Sequence, residues 1–174
     1  LLDRRRKAGT RVAAQPVAKA TLDIAVIRKE VEARGQSYGY HLIARAIAVP
    51  PVAISAAMRT NPDRNLLPIL ALHLADSAPY ALEDRWINST VVPDALDQGF
   101  QSVSANEWLL AHAPYTHGDI AFSAQAASNT EAQSLGCAEH SALFAMDRLT
   151  WDKGASVTKV RLLFSPGHQV RTVL

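Results

Sequence analysis

Cysteine is nearly absent: Cys137 is the only one in 174 residues. An intrachain disulfide and a thiolate metal cluster are therefore excluded, and this usage fits a reducing cytoplasm. No apolar run approaches membrane-spanning length, and the first residues lack the uninterrupted apolar stretch of a secretory signal, so no membrane partner is expected. The chain contains no glycine-rich phosphate loop, nucleophile elbow or His-Glu metal helix, and no internal repeat or low-complexity tract. His112 and His117 stand five apart across Pro114, a spacing that does not stack them on one helix face, so neither a metal site nor a cofactor is expected there. His140 and His168 sit near turns and are read as structural or surface residues. Aromatic residues are scarce, and Trp86, Trp108 and Trp151 occupy periodic positions that assign them to a core.

Apolar side chains are plentiful, at 48% of residues, enough to bury one sizeable core. Charge is spread unevenly. The first twenty residues hold six Lys/Arg against the single acid Asp3, a local +5 within a whole-chain +2, so the remainder carries −3 and is not suited to nucleic acid by itself. Residues 1–13 read as two short strands around Ala8-Gly9 and carry Arg4, Arg5, Arg6, Lys7 and Arg11. Such a hairpin can neutralise phosphates; a solvated basic terminus is the alternative. Two strands alone are marginal in water, so the hairpin presupposes a partner. Residues 14–20 read as a linker, and residues 21–174 as the body.

From Thr21 the apolar residues Ile24, Ile27 and Val31 recur at helical spacing, and Gly35 stops this helix as a left-handed cap. Residues 38–49 are rich in aromatic and β-branched side chains and predict a strand. Pro50-Pro51 opens a short helix to about Arg59. Ser104 with Glu107, and Ser128 with Glu131, mark two further helix starts, closed by Pro114 and Gly136. Residues 115–127, 142–151 and 156–165 predict strands, the last two joined by an Asp152-Lys153-Gly154 turn, with a short terminal strand after Pro166-Gly167. Strands mostly adjacent in sequence, with helices between some pairs, imply an α+β domain with a largely antiparallel sheet.

The sharpest pattern lies in residues 66–88. Leu70, Leu72 and Leu74 alternate with Ala71 and His73; past a turn, Tyr80, Leu82 and Trp86 alternate with Glu83 and Arg85. Burying both apolar sets on one face requires even-numbered positions to pair with even-numbered ones, because a slip of one residue turns every side chain over. A three-residue loop at Asp76, Ser77 and Ala78 satisfies this. His73, Glu83 and Arg85 then share the other face, either as solvated surface charges or as a functional trio.

These residues also carry a resemblance. The basic hairpin at the start, the Ala33-Arg34-Gly35 helix end, the LHLADSAPYALEDRWIN hairpin, the SANEWL helix and the late VRLLFSPG strand resemble the wing and UTRA domain of GntR-type bacterial regulators, most of all the histidine-utilization repressor branch. The resemblance implies a chorismate-lyase-like fold, a cytoplasmic homodimer, operator DNA bound through a winged helix-turn-helix domain, and a small-molecule effector, urocanate. Many members carry arginines where Ala71 and His73 stand, which argues against a phosphosugar effector; Gly39, Tyr40 and His41, and later Pro166, His168 and Gln169, also depart from the family pattern. For urocanate, Arg85 and Arg161 are the candidate carboxylate forks. Glu83 is the candidate acceptor for a ring N–H, His73 a partner for either end, and Tyr40 a wall. Two other classes remain open at this point: a chorismate-lyase-like enzyme, since fold does not decide function, and a dimerisation module without a ligand. A basic hairpin that presupposes upstream helices favours the regulator.

Overall fold

A computed structural model describes residues 26–170. The basic hairpin, the linker and Ile24 lie outside them. In order come α1 (Ile27–Ala33), β1 (Tyr38–Arg45), α2 (Val52–Met58), β2 (Leu67–Ala75), β3 (Ala78–Ile87), a 3-10 turn (Pro93–Leu96), α3 (Ala105–His112), β4 (His117–Ala126), α4 (Asn129–Leu135), β5 (Ala142–Asp152) and β6 (Ala155–Phe164). The six strands form one antiparallel sheet in the order β1-β2-β3-β6-β5-β4. The α+β expectation holds. Among the described residues no helix is long and apolar enough to cross a membrane.

Several boundaries differ from expectation. Val26 is extended, so α1 starts at Ile27; Gly35 follows it at φ 75°, the left-handed stop that glycine supplies without strain. Residues 168–170 after β6 form no strand. The β2–β3 hairpin closes through two residues, Asp76 and Ser77, at φ 49° and 66°, the primed turn that matches strand twist. A bulge between His73 and Leu74 restores the even-with-even pairing, so Leu72 faces Leu82 as the alternation requires.

The burial of the hairpin is the larger correction. The odd-numbered positions of β2, Leu67, Ile69, Ala71, His73 and Ala75, are all buried, whereas Leu70, Leu72 and Leu74 are only half-buried. Both faces of the sheet are covered, so an apolar alternation does not single out the deeper one. On the inner face α1 packs Ile27 and Val31 against Ala75, Ala81, Val160 and Leu162, while the 3-10 turn and α3 cover Leu67, Ile69 and Ile87. On the outer face α4 brings Ala132 and Leu135 against Leu82, Ala145 and Leu163. The two predicted caps are made: the Ser104 hydroxyl accepts from the Glu107 amide, and Ser128 with Glu131 forms a full capping box.

Candidate ligand-binding site

Antiparallel register places one row of polar side chains across the inner face. Tyr40 pairs with His73, Ala71 with Glu83, Arg85 with Val160, and Val160 with Arg148. The side chains of His73 and Glu83 meet at 2.7 Å, and the second Glu83 oxygen accepts from Arg85 Nε. Tyr38 Oη lies 2.8 Å from the remaining His73 ring nitrogen. The Tyr40 ring stands edge-on to the imidazole at 5.3 Å. None of the trio is more than 1% exposed, so this is an internal network and not a solvated surface. Burial opposes ionisation of Glu83, but the Arg85 charge and the His73 hydrogen bond outweigh it and hold the carboxyl down at about 2.

The network continues through α3. Arg85 Nη2 donates to Asn106 Oδ1 at 3.2 Å, and Arg148 Nη2 donates to the same oxygen. Two guanidinium groups thus converge on one neutral amide, with Glu83 the carboxylate of the row. Arg148 is only 4% exposed, its Nε makes no hydrogen bond, and no ion pair reaches it among the described residues. Burial first, and the Arg85 charge second, push Arg148 down to about 9, with Glu83 partly opposing. A guanidinium does not surrender its proton near neutrality, so the cost stands as an undercompensated buried cation.

That cation lines a cavity of about 640 Å³, within the range of small-molecule sites. Its sheet wall is apolar and half aromatic, from Ile120, Phe122, Phe144, Met146, Leu162 and Phe164. Ile27 and Glu30 of α1, Arg34 at its C-terminal cap and residues 167–170 also line it. Glu30 accepts hydrogen bonds from Tyr80 and Arg34, each at 2.7 Å. His168 stacks on Phe164 with ring centroids 3.9 Å apart. One buried cation, flat apolar walls and polar groups elsewhere on the lining suit a small anion with an apolar, planar body.

None of Tyr40, His73, Glu83, Arg85 and Arg161 lines this cavity. The structure brings the first four together beside it, and Arg85 borders a void of about 20 Å³ that also touches Arg148. Arg161 is separated from them. It pairs with Asp84 and Asp147 on the outer face, where its half-exposed side chain bonds Gln125 at 2.7 Å and lies 3.8 Å from Asp147. This register puts the two candidate forks on opposite faces of the sheet: opposite residues share a face, and Arg161 lies opposite Asp84 whereas Arg85 lies opposite Val160. Arg148, His168 and Glu30 were missed. In β5 both parities carry apolar residues, Phe144 and Met146 on one and Leu143, Ala145 and Leu149 on the other, so the sequence does not say which face Arg148 takes. His112 and His117 are exposed, and each stacks on a tryptophan, Trp108 and Trp151. His168, read as structural or surface, has a side chain that is 4% exposed and packed among rings.

Comparison with known proteins follows from this geometry. The family model of the UTRA domain matches residues 33–171. The chain is 29% identical to the histidine utilization repressor of Klebsiella aerogenes, over 98% of this chain and 70% of that protein. It is likewise 29% identical to that of Pseudomonas aeruginosa, over 98% and 68%. The C-terminal domain of the histidine utilization repressor from Pseudomonas syringae superposes with a TM-score of 0.74 at 24% identity, covering 79% of this chain and 99% of that one. The effector domain of PhnF from Mycobacterium smegmatis gives 0.71 at 15% identity, over 80% and 88%. With the family match extending from the end of α1 through β6, and the fold shared with those domains, this chain belongs to the UTRA domain family.

Proposed function

We propose that this chain is the ligand-sensing domain of a GntR-type transcriptional repressor of histidine utilization, and that its effector is urocanate, bound in the cavity that Arg148 lines. The observation that carries this is the undercompensated Arg148 guanidinium in a cavity of about 640 Å³ whose sheet wall is apolar. Urocanate is flat and conjugated, with a carboxylate at one end and an imidazole at the other. Its carboxylate supplies the charge Arg148 lacks, in two-point fashion that lysine cannot imitate, and its body fits between aromatic walls. The relatives named as histidine utilization repressors support the reading as a repressor of histidine utilization.

In this reading His73, Glu83 and Arg85 do not touch the ligand. They fix Asn106, and Asn106 orients Arg148. The protein acts as a cytoplasmic homodimer, with operator DNA held by a winged helix-turn-helix domain whose wing includes Arg4, Arg5, Arg6, Lys7 and Arg11. Effector binding shifts the population toward dimer geometries that no longer match the operator half-sites, which requires different effector affinities for the two states.

A thermal melt of the 174-residue chain tests the reading. At a hundredfold excess over its dissociation constant a ligand stabilises by about 2.7 kcal/mol. Millimolar urocanate is expected to raise Tm by several degrees, whereas a sugar phosphate at the same concentration leaves it in place. An unchanged Tm with urocanate sinks the assignment.

A further inference from the structure

His168 follows β6, lines the cavity, and is held by rings: it stacks on Phe164, and Tyr80 stands edge-on to it at 5.6 Å. Its Nδ1 is buried and makes no hydrogen bond, while its Nε2 lies 4.0 Å from Glu30 Oε1. Burial lowers the affinity of His168 for a second proton, with Arg34 adding and Glu30 opposing, so the ring is neutral at pH 7. A neutral imidazole nitrogen is either a donor or an acceptor, and it complements the same kind of nitrogen on a ligand. Position agrees. Phe144 and Phe164 are cross-strand partners, and Phe144 stands four residues from Arg148 along β5, roughly 13 Å of strand. Arg148 and His168 both line the one cavity, so a single ligand in it meets both.

We infer that His168 is the specificity-determining residue of the cavity: with a ligand carboxylate on Arg148, the His168 imidazole hydrogen-bonds a ring nitrogen at the other end, so the site selects an unsaturated carboxylate bearing a nitrogen heterocycle over its phenyl counterpart. The inference rests on the cavity being the effector site. A phenyl ring of the same shape keeps the aromatic contacts but leaves the buried nitrogen unpaired. Sites built to hydrogen-bond a ligand group reject analogues that lack it more strongly than apolar pockets reject a change of size.

The test is calorimetric titration of the 174-residue chain with trans-urocanate and trans-cinnamate, in the parent and in His168→Phe, which keeps a ring in the stack. The parent is expected to favour urocanate by about tenfold or more. His168→Phe brings the two ligands to similar affinity, chiefly by weakening urocanate. The ratio within one variant cancels any general loss of native protein. If His168→Phe lacks a cooperative melt, His168→Leu is read by the same criterion. Equal binding of the two acids by the parent, or an undiminished preference in the variant, overturns the role of His168. Failure of the parent to bind either acid overturns the cavity assignment itself, a separate result.

Discussion

At the scale of residues, Arg148 and Glu83 are buried charges with opposite histories. Glu83 has two partners, Arg85 and His73, and its carboxyl is held at about 2 against an ordinary 4.5. A carboxyl depressed on folding contributes stability that is present above its unfolded value and is lost as pH falls toward its folded one. Urea unfolding is therefore expected to lose on the order of 3 kcal/mol of stability from this group between about pH 5 and pH 2. Glu83→Gln should be less stable at pH 7 and lack that part of the acid slope; equal slopes in parent and variant would contradict the network. Arg148 is the reverse case, a buried cation that its neighbours compensate only in part. Arg148→Met is expected to make the ligand-free chain more stable by about 1–3 kcal/mol, measured by urea midpoint. A midpoint below the parent's would show that Arg148 stabilises the fold. Part of this was legible in the sequence: odd parity grouped His73, Glu83 and Arg85 without any structure. Arg148 was not, because its strand is apolar on both faces.

At the scale of elements, the hairpin shows what alternation can and cannot say. Pairing of Leu72 with Leu82 follows from the period of two, which tolerates no slip. Which face lies deeper does not follow, because α4 covers one side of the sheet and α1 with α3 the other. The helix caps at Ser104 and Ser128 were readable because capping is local chemistry. The turn length was not, since a two-residue turn plus a bulge gives the same parity as the three-residue loop expected. Ser77 bears the cost of that turn at φ 66°, while Asp76 at φ 49° accepts from the Ser37 amide at 2.8 Å. Ser77→Gly keeps the Asp76 bond and relieves the left-handed strain, so it should stabilise the chain by about 0.5–1 kcal/mol. A destabilised variant by urea unfolding would mean that the Ser77 side chain contributes something the backbone argument omits.

At the scale of the whole molecule, the account is one of linkage. If a ligand in the cavity lowers operator affinity, operator must lower ligand affinity by the same factor. In a regulator that carries this domain together with its DNA-binding domain, urocanate should bind more weakly at saturating operator than without it; identical affinities would remove the population shift. The domain's own dimerisation is expected in light scattering as a mass twice that of the 18.8 kDa chain. In the proposed site Arg148 holds the effector carboxylate, and this is tested by calorimetry of urocanate with the parent chain and Arg148→Met. The parent is expected to bind one urocanate per chain, and the variant, folded and at least as stable, to bind about thirtyfold more weakly or not at all. Equal affinity in the two proteins, or no binding by the parent, would contradict it.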